Sequence, residues 1–232
     1  SSLLSLANWI GSQTDATVGV LSEAANTVGA QVAGSLPGVG GLNAGKMLAG
    51  GLKAAILLNT EPEFDSAAGV RSKHGLASCE MVVTLSPFKT NMEFSDVLLP
   101  IAPFTETSGT FVNAEGRVQS FHAVVKPLGD TRPAWKVLRV LANLLNLPGF
   151  SFDSSQDVLA HMHSDTAGVI ATHVPTSRLS NACNVVPDLS PCEVAPVVAS
   201  IYQLDGLVRR APSLQLTADA RGTRQESVEA VA

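Results

Sequence analysis

The amino-acid sequence predicts an α/β fold: an open, mostly parallel sheet with flanking helices, plus a β-hairpin and an irregular C-terminal tail. Three observations predict it. The apolar runs Ala54–Leu58, Met81–Leu85 and Val97–Leu99 each stop abruptly at polar residues or proline, as strands joined by helical or looped crossovers do. Aromatic residues make up only 5% of a chain rich in Ala, Val, Leu and Gly, so the core is built from small aliphatic side chains, as in a helix-covered parallel sheet. Asn113-Ala-Glu-Gly116 is a turn signal between two stretches enriched in β-branched and aromatic residues.

Taken in order, Asp15 to Gly29 reads as a helix. The Asp15 carboxylate caps its first turn, Val18, Leu21, Ala25 and Val28 recur at helical spacing, and Gly29 supplies the stop. The Gly-rich stretch 34–45 is loop, and a short helix follows around Lys46 to Leu52. Ala54–Leu58 reads as a buried strand that opens into Asn59-Thr60-Glu61-Pro62. Val70 to Ala77 is a helix. Met81–Leu85 is a second buried strand ended by Ser86-Pro87, and Val97–Leu99, after Phe94-Ser95-Asp96, is a third stopped by Pro100. Ligands of such sheets sit beyond the carboxyl ends of the strands, which here are Asn59-Thr60-Glu61, Ser86-Pro87 and Pro100.

The hairpin comprises Phe111-Val112 and Val118 through Val125, with Gly116 able to take φ > 0 in the turn. Asp130-Thr131 caps the next helix, Pro133 sits in its first turn, and Trp135, Leu138, Leu141 and Leu145 form its apolar stripe. Leu147-Pro148-Gly149 ends it. A short helix follows over Ser155 to Met162. Ser164 to Pro196 reads as an irregular segment with short extended pieces, and the last dozen residues as disordered. The organisation expected is a partial α/β domain over 1–150 and an extended C-terminal segment over 151–232.

Composition narrows the function classes. The 232 residues are 45% hydrophobic and 15% charged, enough for a real core. Fifteen Lys and Arg against twenty Asp and Glu give a net charge of −5, which disfavours nucleic acid as a partner. The three cysteines, Cys79, Cys183 and Cys192, are odd in number and widely spaced, which fits reduced thiols rather than a disulfide framework. The opening residues lack a Met and a positive region, so they read as a continuation of a longer chain and not as a signal peptide. No membrane insertion is expected, since the longest apolar approach, Met47 to Leu58, is broken by Lys53 and Gly50-Gly51.

Five constellations carry possible chemistry. Gly40 to Met47 nearly matches a phosphate-binding loop, but Met47 stands where Ser or Thr would hold magnesium and no strand precedes it. His161, His163, His173, Cys183 and Cys192 lack the Cys-x-x-Cys spacing of zinc or cluster sites. Ser108-Gly109 is a turn pairing without a Gly-x-Ser-x-Gly elbow. Asn59-Thr60-Glu61-Pro62-Glu63 lies where a pterin or nucleotide would be cradled, yet equally reads as a polar loop capping a strand and the following helix. Glu106, Asn113, Glu115, Arg117 and Gln119 are the densest polar set, with Arg117 placed to pair with Glu106 or Glu115 across the hairpin. No catalytic, cofactor-binding or metal-ligating residue is assigned from them.

The run Phe94-Ser-Asp-Val-Leu-Leu-Pro100, followed by Phe104 through Gln119, resembles the molybdopterin oxidoreductase superfamily, with Glu106, Gly109, Thr110, Asn113, Glu115, Gly116, Arg117 and Gln119 as its ordered signature. The likeness continues through Val125 to Lys136 and into Ile201 to Gln215 and Thr217 to Ala220, where it is similar to the C-terminal part of the large iron–sulfur subunits of bacterial NADH:quinone oxidoreductase, complex I. The resemblance implies the fold of molybdenum reductases without catalytic residues in this piece. It implies no cofactor here, and 4Fe-4S and 2Fe-2S clusters elsewhere in the parent subunit. It further implies other peripheral-arm subunits of complex I as partners, and a peripheral place on the cytoplasmic side of the bacterial inner membrane. The alternative it leaves is a fragment of a molybdopterin-dependent enzyme such as a formate dehydrogenase. Such enzymes continue from this hairpin into a β-barrel-like domain, whereas here one helix and an irregular tail follow.

Overall fold

The computed structural model describes residues 2–22, 24–164, 186 and 200–222. The chain forms two compact units. One comprises Ser1–Gly41 with Pro100–Ser190, the other Leu42–Leu99 with Pro191–Ala232.

The second unit holds the predicted sheet. Strands β1 (Ala54–Leu58), β2 (Met81–Ser86) and β3 (Val97–Pro100) lie in the order β1-β2-β3. β1 and β2 run parallel in a register pairing Ala54 with Met81 and Leu58 with Leu85. All three coincide with the predicted runs, because short apolar runs ending in Asn, Ser-Pro and Pro leave little freedom of boundary. The crossover between β1 and β2 contains the one-turn helix α4 (Pro62–Asp65) and helix α5 (Arg71–Ala77). Helix α3 (Ala44–Leu48) begins earlier than expected, because Asn43 caps it by accepting the Lys46 N–H at 2.9 Å. The glycine loop before it is therefore a helix entrance.

The core of this unit is Leu57, Leu76 and Val82, packed by Leu48, Ala55, Cys79 and Phe94. Each fully buried aliphatic side chain contributes about 1.5–3 kcal/mol of apolar burial. One sheet face is covered at both strands, while the other is covered at β2, where Leu85 is fully buried, and largely open at β1. In β1 only Leu57 is buried, while Ile56 and Leu58 are 56% and 45% exposed and Met81 of β2 is 51% exposed. The expectation of a buried strand holds for β2 and is corrected for β1: α3 and α5 supply one layer, and the other face of β1 stays largely exposed.

The first unit opens with helix α1 (Ser2–Thr14), not with the predicted helix over Asp15 to Gly29. Asp15 has φ 56°, a left-handed conformation that ends a helix, and Ala16 N–H closes onto the Gly11 carbonyl at 3.2 Å. Asp15 is a terminator where a cap was expected. Gly29 likewise is no stop but lies inside helix α2 (Thr27–Val32). Its missing side chain leaves room for Asn26, whose Oδ1 would lie 2.0 Å from a Cβ there and instead accepts the Val112 N–H at 2.9 Å. That bond ties α2 to the hairpin, β4 (Gly109–Val112) and β5 (Val118–Phe121). β5 ends at Phe121, shorter than the sequence suggests, because its partner β4 begins at Gly109, opposite Phe121.

Helix α6 (Ala134–Leu144) carries the predicted apolar stripe, but Pro133 is its N-cap and neither Asp130 nor Thr131 caps it. The Thr131 hydroxyl is spent on the Leu128 carbonyl at 2.7 Å. Its end is made by Asn146 at φ 56° and a Leu147 N–H bond to the Ala142 carbonyl, ahead of the expected Gly149. Helix α7 (Ser155–Ser164) is capped by Ser154 and Asp157, which exchange N–H bonds of 3.1 and 2.8 Å. The irregular segment expected over Ser164 to Pro196 lies outside the described residues apart from 164 and 186, and so does the tail beyond 222. The region 200–222 contains helix α8 (Ile201–Leu204), a 3-10 turn (Val208–Arg210) and helix α9 (Pro212–Gln215).

Gly75 of α5 sets how closely the helix approaches α3. A Cβ there would meet the Leu48 carbonyl oxygen at 2.2 Å and the Gly50 nitrogen at 3.0 Å. Gly75→Ala is expected to destabilise the protein by about 1–3 kcal/mol, whereas Gly38→Ala, with nothing within 4 Å, stays within about 0.5 kcal/mol. Urea midpoints of the two variants check this.

Candidate functional site

The carboxyl ends of β1 and β2 open into a crevice of about 250 Å³ lined by Glu61, Glu63, Phe64, Lys73 and residues 89–94. Local backbone geometry builds it. Asn59, at φ 48°, turns the chain off β1, and its N–H reaches the Leu85 carbonyl at 2.8 Å. Asn91, at φ 58°, donates to the Thr60 carbonyl at 3.0 Å and so ties the two strand-end loops together. Pro62 starts α4 where its missing N–H is no loss. The Glu61 N–H is taken by Asp65 Oδ2 at 2.7 Å, so the Glu61 carboxylate is left for other partners.

Those partners are Arg209 and Arg210. Arg210 donates Nη1 and Nη2 to the two Glu61 oxygens at 2.7 and 2.9 Å, and Arg209 Nη2 lies 2.9 Å from Oε1. Arg209 Nη1 also reaches Asp65 Oδ1 at 3.2 Å. The side chains of Arg209 and Glu61 are 8% and 9% exposed. Burial alone would raise the Glu61 pKa; the hydrogen bonds from Arg210, Arg209 and Thr90 overcome it and hold the carboxyl at about 2. Across the crevice Lys73 spans Glu63 at 2.6 Å and Glu93 at 3.3 Å, and the Glu63 hydrogen bond foremost raises its pKa.

A pterin or nucleotide cradle must receive anionic phosphate. This lining presents Glu61, Glu63 and Glu93 against Lys73 and Lys89, with Lys73 already spanned by two carboxylates. The residues do not fit such a group, and no chemical step is routed through one. Of the two readings of Asn59 to Glu63, the geometry realises the loop that caps a strand and the helix after it.

The hairpin set is arranged differently from expectation. Glu106 accepts the Leu128 N–H at 3.0 Å, and among the described residues Arg117 forms no ion pair with Glu106 or Glu115. Asn113 locks the turn instead: its Oδ1 accepts from Glu115 and Arg117 N–H at 3.1 and 2.8 Å, and Gly116 takes φ 84°. Thr110 and Ser120 bond across the strands at 2.9 Å, and Phe111 meets Phe121 edge-to-face at 5.3 Å. Gln119 pairs with Phe111 in the ladder. The signature is thus a structural motif. Ser108 directly precedes β4, its carbonyl accepting from the Thr107 hydroxyl at 3.2 Å. His161 lies against Phe152 with ring centroids 5.2 Å apart, while His173, Cys183 and Cys192 lie outside the described residues. Cys79 is half-buried, its Sγ 3.8 Å from the Gly75 carbonyl.

Sequence reasoning missed Arg209 and Arg210 as site residues. The available signal was that they are the chain's only adjacent pair of Lys or Arg residues.

Two outcomes test the geometry. A carboxyl pKa lowered from 4.5 to about 2 adds stability that is fully present above pH 4.5 and lost as the pH falls through 2. Glu61→Gln is therefore expected to be about 3 kcal/mol less stable than the native protein at pH 7, with the difference shrinking toward zero near pH 2 in urea titrations. A difference independent of pH contradicts the assignment. Asn113→Ala is expected to cost about 1–2 kcal/mol and to speed exchange of the Glu115 and Arg117 amides selectively, read by hydrogen exchange.

Comparison with known proteins places the architecture. The profile of the Molybdopterin oxidoreductase family matches residues 1–144. The chain is 51% identical over 53 residues to the mitochondrial 78 kDa subunit of NADH-ubiquinone oxidoreductase from Candida albicans, covering 23% of this chain and 7% of that protein. It is 45% identical over 53 residues to a Staphylococcus aureus protein provisionally named formate dehydrogenase, covering 23% of this chain and 5% of the relative. It is 39% identical over 67 residues to the provisionally named oxidoreductase YjgC of Bacillus subtilis, covering 29% of this chain and 7% of the relative. The matched stretches therefore span only a small part of each relative's length. With the α/β sheet, the hairpin and a profile match over more than half of its residues, the chain belongs to the molybdopterin oxidoreductase family.

Proposed function

We propose that this chain is a scaffold and interaction region of the large iron–sulfur subunit of a bacterial respiratory NADH:quinone oxidoreductase. In this reading, electrons from NADH reach quinone through 4Fe-4S and 2Fe-2S clusters held elsewhere in the parent subunit and its neighbours. The chain's own part is to hold a packed frame beside them. The observation that carries the reading lies at the strand ends: the buried Glu61 carboxylate there is consumed by two arginines of the same chain. The likeness to the 78 kDa subunit supports it, as does the uncovered apolar face of β1, which suits contact with further protein. Its partners are the other peripheral-arm subunits of complex I, on the cytoplasmic side of the bacterial inner membrane. Among the described residues no helix is long and apolar enough to cross a membrane, in keeping with a peripheral attachment.

The test uses the full-length parent protein, tagged at its C-terminus and recovered from gently solubilised membranes. Co-purifying flavin- and cluster-bearing NADH dehydrogenase subunits, with iron and without molybdenum, are the expected result. Stoichiometric molybdenum without those partners would overturn the reading in favour of a molybdopterin enzyme of the formate dehydrogenase type.

A further inference from the structure

The segment 200–216 rests on the strand-end crevice as a strap, and its apolar side chains do not hold it there. Ile201, Leu204, Leu207, Leu214 and Leu216 are 71%, 45%, 44%, 41% and 63% exposed. Its own fold is maintained by polar bonds. Ser200 accepts the Tyr202 N–H at 3.2 Å, Asp205 accepts the Leu207 and Val208 N–H groups at 2.8 and 2.9 Å, and Gln215 donates to the Tyr202 and Val208 carbonyls. What fastens the strap to the sheet is the pair of guanidinium groups.

Each group is recognised on its edge and on its face. Arg210 presents a two-pronged edge to Glu61 and stacks over Phe88, with Cζ 4.2 Å from the ring centroid. The edge of Arg209 is divided between Glu61 and Asp65, and its Cζ lies 4.8 Å from the centroid of Phe64. Arg209 Nη1 also donates to the Gln203 carbonyl at 2.6 Å, which binds the arginine back onto its own strap. A planar cation met by a carboxylate fork in its plane and an aromatic ring above it is bound by shape as well as charge. A lysine ammonium is a point charge that cannot span both Glu61 oxygens in parallel or lie flat on a ring. The receptor groups Glu61, Phe64 and Asp65 come from the N-cap and body of α4 after β1, and Phe88 from the loop after β2, and Arg210 follows Glu61 by 149 residues.

We propose that the carboxyl ends of β1 and β2 form a guanidinium-recognition site whose occupant is the chain's own strap, making residues 200–216 a latch that opens separately from the sheet beneath it. The site is self-liganded: its carboxylates and rings are taken by Arg209 and Arg210 of the same chain. The proposal rests on the crevice geometry alone. Its test reads exchange within this unit and no electron transfer, so it can fail while the electron-transfer reading stands, and the reverse.

Hydrogen exchange with mass spectrometry on the full-length protein tests it, using R209K/R210K, which keeps both charges, and Glu61→Gln. In the native protein peptides from 200–216 are expected to exchange at least tenfold faster than peptides from β2, Val82 to Ser86, and in both variants the strap peptides exchange at least tenfold faster again. Native-like exchange of the strap in R209K/R210K would show that point charge suffices and would overturn guanidinium recognition. Strap and β2 peptides sharing one rate of exchange in the native protein would overturn the separate latch, because the strap would then open only with the whole unit.

Discussion

A carboxylate removed from water is costly unless its charge is met at close range, and Glu61 is such a group. Much of the second unit follows from how that requirement is satisfied. Asn59 turns the chain off β1, and Asp65 takes the Glu61 N–H. The carboxylate then has both oxygens available, and a chain segment far away in sequence must supply the cations. Buried ion pairs add little net stability over a well-packed apolar alternative, but an unpaired one is strongly unfavourable. The pair therefore acts chiefly on placement: it permits one position for the 3-10 turn at Val208–Arg210 and penalises others. The rings of Phe64 and Phe88 narrow that position further by admitting a flat cation.

The second constraint is the open face of β1. Parallel strands are ordinarily covered on both faces. Here α3 and α5 cover one face, closely enough that Gly75 cannot carry a side chain, while Ile56, Leu58 and Met81 remain exposed on the other. Such a face favours association, and it gives the unit a modest core of few fully buried side chains. That modesty explains why polar devices carry so much of the fold. Asp96 pairs with both the N–H and the carbonyl of Val82 at 2.7 and 2.9 Å, and Thr84 bonds Ser95 at 2.7 Å. Asn26 and Asn113 do comparable work at the hairpin.

What the sequence made legible was local and periodic. The three strands, the turn at Asn113 to Gly116 and the stripe of α6 all follow from side-chain pattern and turn chemistry acting over a few residues. What it concealed depended on distant partners. Asp15 looks like a cap because Asp often is one, yet a left-handed Asp ends a helix as well, and only the surrounding chain decides. Gly29 looks like a stop because nothing local reveals that Asn26 must pass beside it to reach Val112. Arg117 looked placed to pair across the hairpin, but Asn113 satisfied the turn through the backbone first. The crevice was found by topology, since strand ends are where sheets present their loops. Its occupants were not, because a contact over 149 residues leaves no periodic trace.

Family membership and function separate at this point. Relatives provisionally named for formate dehydrogenase and named for NADH-ubiquinone oxidoreductase share stretches of similar length and identity with this chain. A likeness common to differently named proteins reflects the fold they hold in common and cannot by itself assign an activity. The discriminating feature must then be something built onto that fold. The family profile ends at residue 144, and Arg209 and Arg210 lie beyond it, yet they pair with the Glu61 carboxylate that the matched region places at the strand ends. A shared sheet supplies the position, and a segment outside the match determines what occupies it. Charge and shape at Glu61, rather than the sheet, therefore set which segment of the chain is held at the strand ends.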